Sequence, residues 1–221
     1  MRFVTNGPDI PEELIEVHKA GKVVFFCGAG ISAPLGLPTF QKLVRLLYKS
    51  LDTVAQKDEY PAVLNGQYDI ALNLLETRIP GNRKLVREKL FDLLRLRKSL
   101  HSFDTHSALI ELATCQKDKS IRIVTTNYDL AFDVVLKQKK VRGCQSYAAP
   151  LLPVPKRSRW NGVVYLHGMM PKRYNEDQMN NLVLTSGDFG AAYLTERWAS
   201  RFVTELFRNY GRDPKNTEQP L

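Results

Sequence analysis

Three short apolar runs, each ending abruptly in glycine or polar residues, constrain this chain more than any other feature. Val23 to Cys27 runs into Gly28-Ala29-Gly30, Ile121 to Thr125 into Thr126-Asn127-Tyr128-Asp129, and Gly162 to Leu166 into His167-Gly168. Short unbroken runs of β-branched and aromatic residues suit strands buried on both faces, as in a parallel sheet. In such a sheet the carboxyl ends of the strands hold the ligand. Three polar strand ends on one edge are therefore a candidate site.

Helical patterns fill the intervals. Pro11 to Ala20 begins with proline and two acids, Glu12 and Glu13, which suit a helix start. From Thr39 to Leu51 one stripe carries Phe40, Leu43, Val44, Leu47 and Leu51. Ile70–Leu75, Leu85–Leu96, His106–Leu112, Leu130–Lys137 and Tyr193–Phe207 also read as helices, the second with Leu85, Val86, Leu90, Leu93 and Leu94 inward. Leu182–Leu184 reads as a short fourth strand, and the proline-rich, basic stretch from Ala149 to Trp160 as a loop. Alternating strands and helices predict an α/β fold with a mainly parallel sheet. Residues 1–210 are expected to form one domain and 211–221 a polar tail.

Composition narrows the function. Hydrophobic residues make up 43% of the 221 and charged residues 25%, which suits one globular domain with a full core. The net charge of +9 favours polyanionic partners, either phosphorylated ligands or nucleic acid, the latter not as the primary role. The basic runs Arg83–Lys98 and Lys137–Arg142 read more simply as solvated helix faces. Three widely spaced cysteines, Cys27, Cys115 and Cys144, argue for a reducing compartment and against a structural zinc site. The polar start MRFVTNGPDIPEE carries no signal-peptide pattern, and no apolar run is long enough for a membrane helix. A cytoplasmic protein without membrane contact is expected.

Each strand end has two readings. Gly28 to Ala33 fits GxGxxA after a strand, the pattern of a pyrophosphate-binding turn, yet a glycine exit is also a plain bend. No lysine of a nucleotide-triphosphate loop follows. Asp52 has about the spacing of a ribose-binding acid but follows a helical stripe rather than a strand, and Pro34, Gly36 and Pro38 interrupt the phosphate-binding helix. Asn127 and Asp129 fit either a ligand site or an Asx turn capping the next helix. His167 fits either a catalyst or a structural histidine.

Taken in order, GAGIS…GLPTF, TTNYD and YLHG resemble the sirtuin-like family, whose members carry GAGIS…GIPDFR, TQNID and HG. The resemblance spans about Lys22 to Gly168. It implies a three-layer, Rossmann-like fold that binds NAD. It also implies that Gly28, Ala29, Gly30 and Ser32 cradle the pyrophosphate, and that Pro38, Thr39, Phe40 and Gln41 line the nicotinamide end. Here Thr39 and Gln41 replace the family's Asp and Arg, and Thr126 replaces its Gln. Asn127 would orient the ribose and the attacking group, Asp129 would lie near the nicotinamide amide, and His167 would be the general base.

No cysteine follows His167, so the four-cysteine zinc module of the deacylating members is not expected, nor is any metal. With TTNYD, LVLTSGDF and the helix from Tyr193, the chain looks like the zinc-free sirtuin-like NAD hydrolases of antiphage defence. That implies hydrolysis of NAD, as substrate, to nicotinamide and ADP-ribose, by a homo-oligomer or together with a defence partner protein. The alternatives are an NAD-dependent deacylase or ADP-ribosyltransferase, or a non-catalytic NAD- or ADP-ribose-binding subunit. In the family a further strand and often a sensor domain follow. Here Gly211-Arg212-Asp213-Pro214 stands where that strand is expected, so the sheet is expected to lack its last strand.

Overall fold

A computed structural model describes residues 1–78, 81–96, 102–156 and 160–210. The expected tail, 211–221, and parts of the Arg83–Lys98 run and of the Ala149–Trp160 loop lie outside the described residues. The order is α1 (Glu12–Lys19), β1 (Phe25–Cys27), a 3-10 helix (Ala29–Leu35), α2 (Phe40–Ser50), α3 (Tyr60–Leu64), α4 (Tyr68–Thr77), α5 (Asn82–Leu94) and α6 (Asp104–Ala113). There follow β2 (Arg122–Thr125), α7 (Ala131–Gln138), β3 (Gln145–Ala148), β4 (Gly162–Tyr165), α8 (Glu176–Asn180), α9 (Ser186–Phe189), a π-helix (Gly190–Thr195) and α10 (Trp198–Tyr210).

Among the described residues the sheet has four strands, all parallel, in the order β1-β2-β4-β3. Phe25 pairs with Ile123, which in turn pairs with Val163, and Cys27, Thr125 and Tyr165 line up in the same way at the carboxyl end. Helices α6 and α7 cover the face carrying Phe25, Cys27, Ile123, Val163 and Tyr165. Trp160 and α10 cover the face carrying Val124 and Val164. The result is a three-layer α/β sandwich, as expected. The two central strands β2 and β4 are buried at every position, which explains their unbroken apolar sequences.

Several expectations are corrected. β1 is an edge strand among the described residues, and Phe26 is half exposed rather than buried. β3 has the sequence QSYA, whose mixed polarity fits an edge and hid it from the sequence reading. Leu182–Leu184 is not a strand. Its side chains alternate because they enter two different cores, Leu182 and Leu184 in one and Val183 in the other. Its backbone is bonded to side chains and isolated carbonyls: Leu184 N–H donates to Asp188 Oδ2 at 3.0 Å and Val183 N–H to the His167 carbonyl at 2.9 Å. The helix expected over Tyr193–Phe207 is broken, since Arg197 adopts φ 59° between the π-helix and α10. Leu85 is exposed at 42%, whereas Arg87, read as part of a solvated face, is fully buried.

A second core lies off the sheet, formed by α2, α4 and α5 with Met179, Leu182 and Leu184. Arg87 sits within it. Its Nε donates to Glu76 Oε1 at 2.7 Å, and its Nη2 to Asp188 Oδ2 at 2.5 Å and to Glu76 Oε2 at 3.3 Å. Its Nη1 donates to the carbonyls of Leu182 at 2.8 Å and Met179 at 3.2 Å. Every N–H of the guanidinium fork thus has an acceptor, the condition under which a buried cation is tolerated. Burial alone would raise the Asp188 carboxyl. The Arg87 charge, the Thr185 amide and Arg83 outweigh it and hold the group at about 2. Asp188 is also the N3 residue of a capping box with Thr185, so the same carboxylate starts α9.

Removing the cation would leave the Glu76 and Asp188 carboxylates to the partly exposed Arg83, and two buried carbonyls without their donor. Arg87→Met is expected to lower the unfolding free energy by about 3–5 kcal/mol, read from urea denaturation. A loss below about 1 kcal/mol, the worth of an exposed pair, would contradict this role.

Candidate functional site

The carboxyl ends of β1, β2 and β4 open beside the off-sheet core, and a cavity of about 230 Å³ lies between them. Among the residues singled out in the sequence, Ala29, Ser32, Pro38, Phe40, Thr126, Asn127, Asp129 and His167 line it. Leu37, Leu43, Leu94, Tyr128 and Phe189 complete the wall. Gly28, Gly30, Thr39 and Gln41 are not part of the lining. Thr39 instead caps α2, its hydroxyl accepting from Lys42 N–H at 3.4 Å, and Gln41 is exposed.

The glycine exit of β1 does not open an α-helix. Gly28 is extended at φ −112°, and a 3-10 helix follows until Gly36 closes it at φ 73°. Proline at 34 is accommodated inside this tight segment. The tight coil turns Ser32 inward, where it is 3% exposed. A Cβ placed on Gly30 would meet nothing within 4 Å, so its backbone is open to close approach.

Asn127, Ser32 and Asp129 form a directional chain. Asn127 Nδ2 donates to the Gly28 carbonyl at 3.1 Å and to Ser32 Oγ at 2.9 Å. Ser32 Oγ donates in turn to Asp129 Oδ2 at 2.8 Å. A carbonyl only accepts, so the amide nitrogen must face Gly28. Both of its hydrogens are then engaged, and the amide oxygen is the acceptor that Asn127 offers a ligand. The other oxygen of Asp129 accepts from Ala131 N–H at 3.0 Å. The Asx turn and the link to Ser32 therefore coexist: one carboxylate starts α7 and orients the polar chain. Asn127 N–H donates to Thr125 Oγ1 at 3.1 Å, which itself donates to the Cys27 carbonyl at 3.0 Å, so the three polar residues are tied to β1 and β2.

His167 comes from β4. Gly168 follows at φ 90°, and a Cβ there would lie 2.8 Å from Leu182 Cδ2 and 3.1 Å from the Asn181 carbonyl. The HG pair is thus a packing requirement as well as a turn. The imidazole is half-buried, with Nε2 2.9 Å from Tyr193 Oη and Phe189 edge-on at 5.1 Å between ring centroids. Burial lowers its pKa to about 4, so the ring is neutral near pH 7 and carries one lone pair. Cys27, at the end of β1, is no rival nucleophile: burial pushes its thiol to about 11. Phe189 and Tyr193 escaped the sequence reading of the site. The signal available was the capping pattern T-x-x-D at Thr185–Asp188, which starts the segment that carries them.

Among the described residues no group of three or more His, Cys, Asp or Glu side chains could hold a metal ion, and no helix is long and apolar enough to cross a membrane. The three cysteines are free thiols.

Residues 121–211 match the family model of the SIR2-like domain. That segment contains β2, β3, β4 and α10, with Asn127, Asp129, His167 and Tyr193. The chain is also similar to an uncharacterized protein of Sinorhizobium fredii (strain NBRC 101917 / NGR234), y4cA, with 36% identity over 217 residues, 94% of this chain and 17% of that protein. The chain therefore spans about a sixth of that relative's length. The matched domain supports a sirtuin-like family.

The lowered pKa of His167 has a signed consequence for stability. The group titrates at about 4 in the folded chain against an ordinary value of 6.5. Between these values the unfolded chain binds a proton that the folded chain refuses, so stability rises as pH rises through that window and is lost as pH falls through it. Wild type is expected to lose more stability than His167→Gln between pH 7 and pH 4.5, measured by urea denaturation. Equal losses would contradict the assignment.

Proposed function

We propose that the chain is an NAD glycohydrolase, proceeding from the SIR2-like domain, which suggests NAD-related activity. NAD and water give nicotinamide and ADP-ribose. One observation carries the reading: a carboxamide of fixed orientation, Asn127, shares one cavity with an imidazole, His167, that burial keeps neutral.

The size of the cavity fits part of the substrate. Clefts for drug-sized ligands hold about 300–1,000 Å³. The space of about 230 Å³ suits one end of a dinucleotide, the nicotinamide with its ribose. The remaining half would run along the exposed turn at Gly28–Gly30, where open backbone N–H groups suit phosphate oxygens.

In the reaction the bond between ribose C1′ and nicotinamide N1 breaks, and its electron pair stays on N1. The leaving group is neutral and needs no proton. A cationic, oxocarbenium-like C1′ remains. Water forms the new C–O bond there and gives a proton to His167, which passes it to solvent. The Asn127 amide oxygen accepts a hydrogen bond from the water or a ribose hydroxyl and holds it in line. Phe40 and Phe189 form apolar wall beside the reacting end. A role in antiphage defence through NAD depletion in the cytoplasm, as a homo-oligomer or with a partner protein, belongs to the same reading and rests on the resemblance alone.

A second reading is a non-catalytic NAD- or ADP-ribose-binding subunit. It is favoured by Thr39 and Gln41, which stand where the family has Asp and Arg and do not line the cavity. A deacylase or ADP-ribosyltransferase would give an acylated or protein-linked ADP-ribose product instead.

The test is chromatography of NAD incubated with the chain. Nicotinamide and ADP-ribose are expected in equal amounts, with the rate falling about 10²-fold or more in Asn127→Ala, the scale of a lost positioning contact. Calorimetric binding of NAD without turnover would select the non-catalytic reading.

A further inference from the structure

His167 is gripped from one side by two aromatic rings four residues apart. Phe189 ends α9, and Tyr193 lies in the π-helix that continues it. The two rings stack on each other at 6.0 Å with 24° between their planes, and both meet the imidazole nearly at right angles, at 5.1 Å for Phe189 and 6.0 Å for Tyr193. The widened turn is closed by Glu196 N–H donating to the Ala191 carbonyl at 2.8 Å. Single π-turns are often found at functional sites. The Tyr193 carbonyl accepts from Ser200 Oγ at 3.0 Å, which ties this turn to α10. Arg87, through Asp188 and the capping box, fixes its other end. Tyr193 is therefore held by backbone and ring contacts before its hydroxyl makes any bond.

That hydroxyl lies 2.9 Å from His167 Nε2. A neutral imidazole has one N–H and one lone pair, and the bond made by one nitrogen decides the state of the other. A phenol serves as donor or acceptor. If Tyr193 donated, it would cap the lone pair and leave Nδ1 as an N–H, unfit to take a proton. If Tyr193 accepts, the proton sits on Nε2 and Nδ1 carries the lone pair.

We propose that Tyr193 is a positioning residue for His167: its phenolic oxygen accepts Nε2–H, which fixes the tautomer and leaves Nδ1 as the base. This rests on the hydrolase reading for the direction of the bond, while the residue pair and its geometry stand apart from it. Tyr193 touches no reacting atom. It acts by choosing which imidazole nitrogen takes the proton from water and by holding the ring plane.

The experiment is nitrogen-15 NMR of the histidine side chains at pH 7, with no NAD present. The chain has four histidines, and His167→Gln identifies the signal of His167 by its loss. In wild type, His167 is expected as a single Nε2–H tautomer. Tyr193→Phe keeps the ring stack and removes only the hydroxyl, and is expected to release the ring into a mixture of both tautomers. An Nδ1–H tautomer in wild type would overturn the proposal, as would an unchanged spectrum in Tyr193→Phe. The wild-type spectrum alone decides the direction, so a poorly folding variant does not block the test. Intact NAD in the chromatographic assay together with the Nε2–H tautomer would overturn the hydrolase reading and keep the assignment of the tautomer to Tyr193. Where turnover is present, Tyr193→Phe is expected to lower kcat about tenfold and leave KM within about twofold, because the ring contacts that shape the cavity remain.

Discussion

A buried guanidinium holds the site together. Arg87 belongs to α5, yet its acceptors come from α4, from the end of α8, from the Leu182 carbonyl and from the first turn of α9. These elements belong to the off-sheet core and its border, and α5 and α9 supply Leu94 and Phe189 to the cavity wall. Apolar packing alone would join them, but it is non-directional and would not fix the register of α9. The bidentate ties to Glu76 and the bond to Asp188 are directional. They set the start of α9, and so the places of Phe189 and Tyr193 beside His167. A buried charge is thus tied, through Asp188, to the segment whose rings meet the imidazole.

The sheet supplies the rest by its own geometry. Parallel strands bring their carboxyl ends to one edge, and β1, β2 and β4 each end there in residues too polar for the core. Hydrogen bonds join the exits of β1 and β2, and His167 at the end of β4 lines the same cavity. Asn127 from the exit of β2 reaches Gly28 and Ser32 from the exit of β1, and Ser32 returns to Asp129. The amide hydrogens of Asn127 and the hydroxyl of Ser32 are all engaged within this chain, and Asn127 lines the cavity.

Much of this was legible in the sequence. β2 and β4 were readable because both faces are covered, which forces an unbroken apolar run. The stripe of α2 was readable because Leu43, Val44 and Leu47 face a single core. Leu182–Leu184 misled because burial in two cores imitates the alternation of a strand. Arg87 was invisible because a buried charge and a solvated one look alike until their acceptors are placed, and those acceptors lie 11, 95 and 101 residues away along the chain. Within the site, Asn127 and His167 stood at strand ends and could be named. Tyr193 could not, since its place beside His167 depends on a π-turn and a positive φ at Arg197 that no residue pattern announces.

The cause of the low His167 pKa also determines what the site ignores. The shift comes from burial and from no neighbouring charge. A shift made by an ion pair weakens as salt screens the pair, over about 8–10 Å at ordinary ionic strength. Desolvation has no counter-charge to screen. The chain carries a net charge of +9, and its outer field rises and falls with salt. The lowered pKa of the imidazole therefore does not depend on an ion pair that salt could screen.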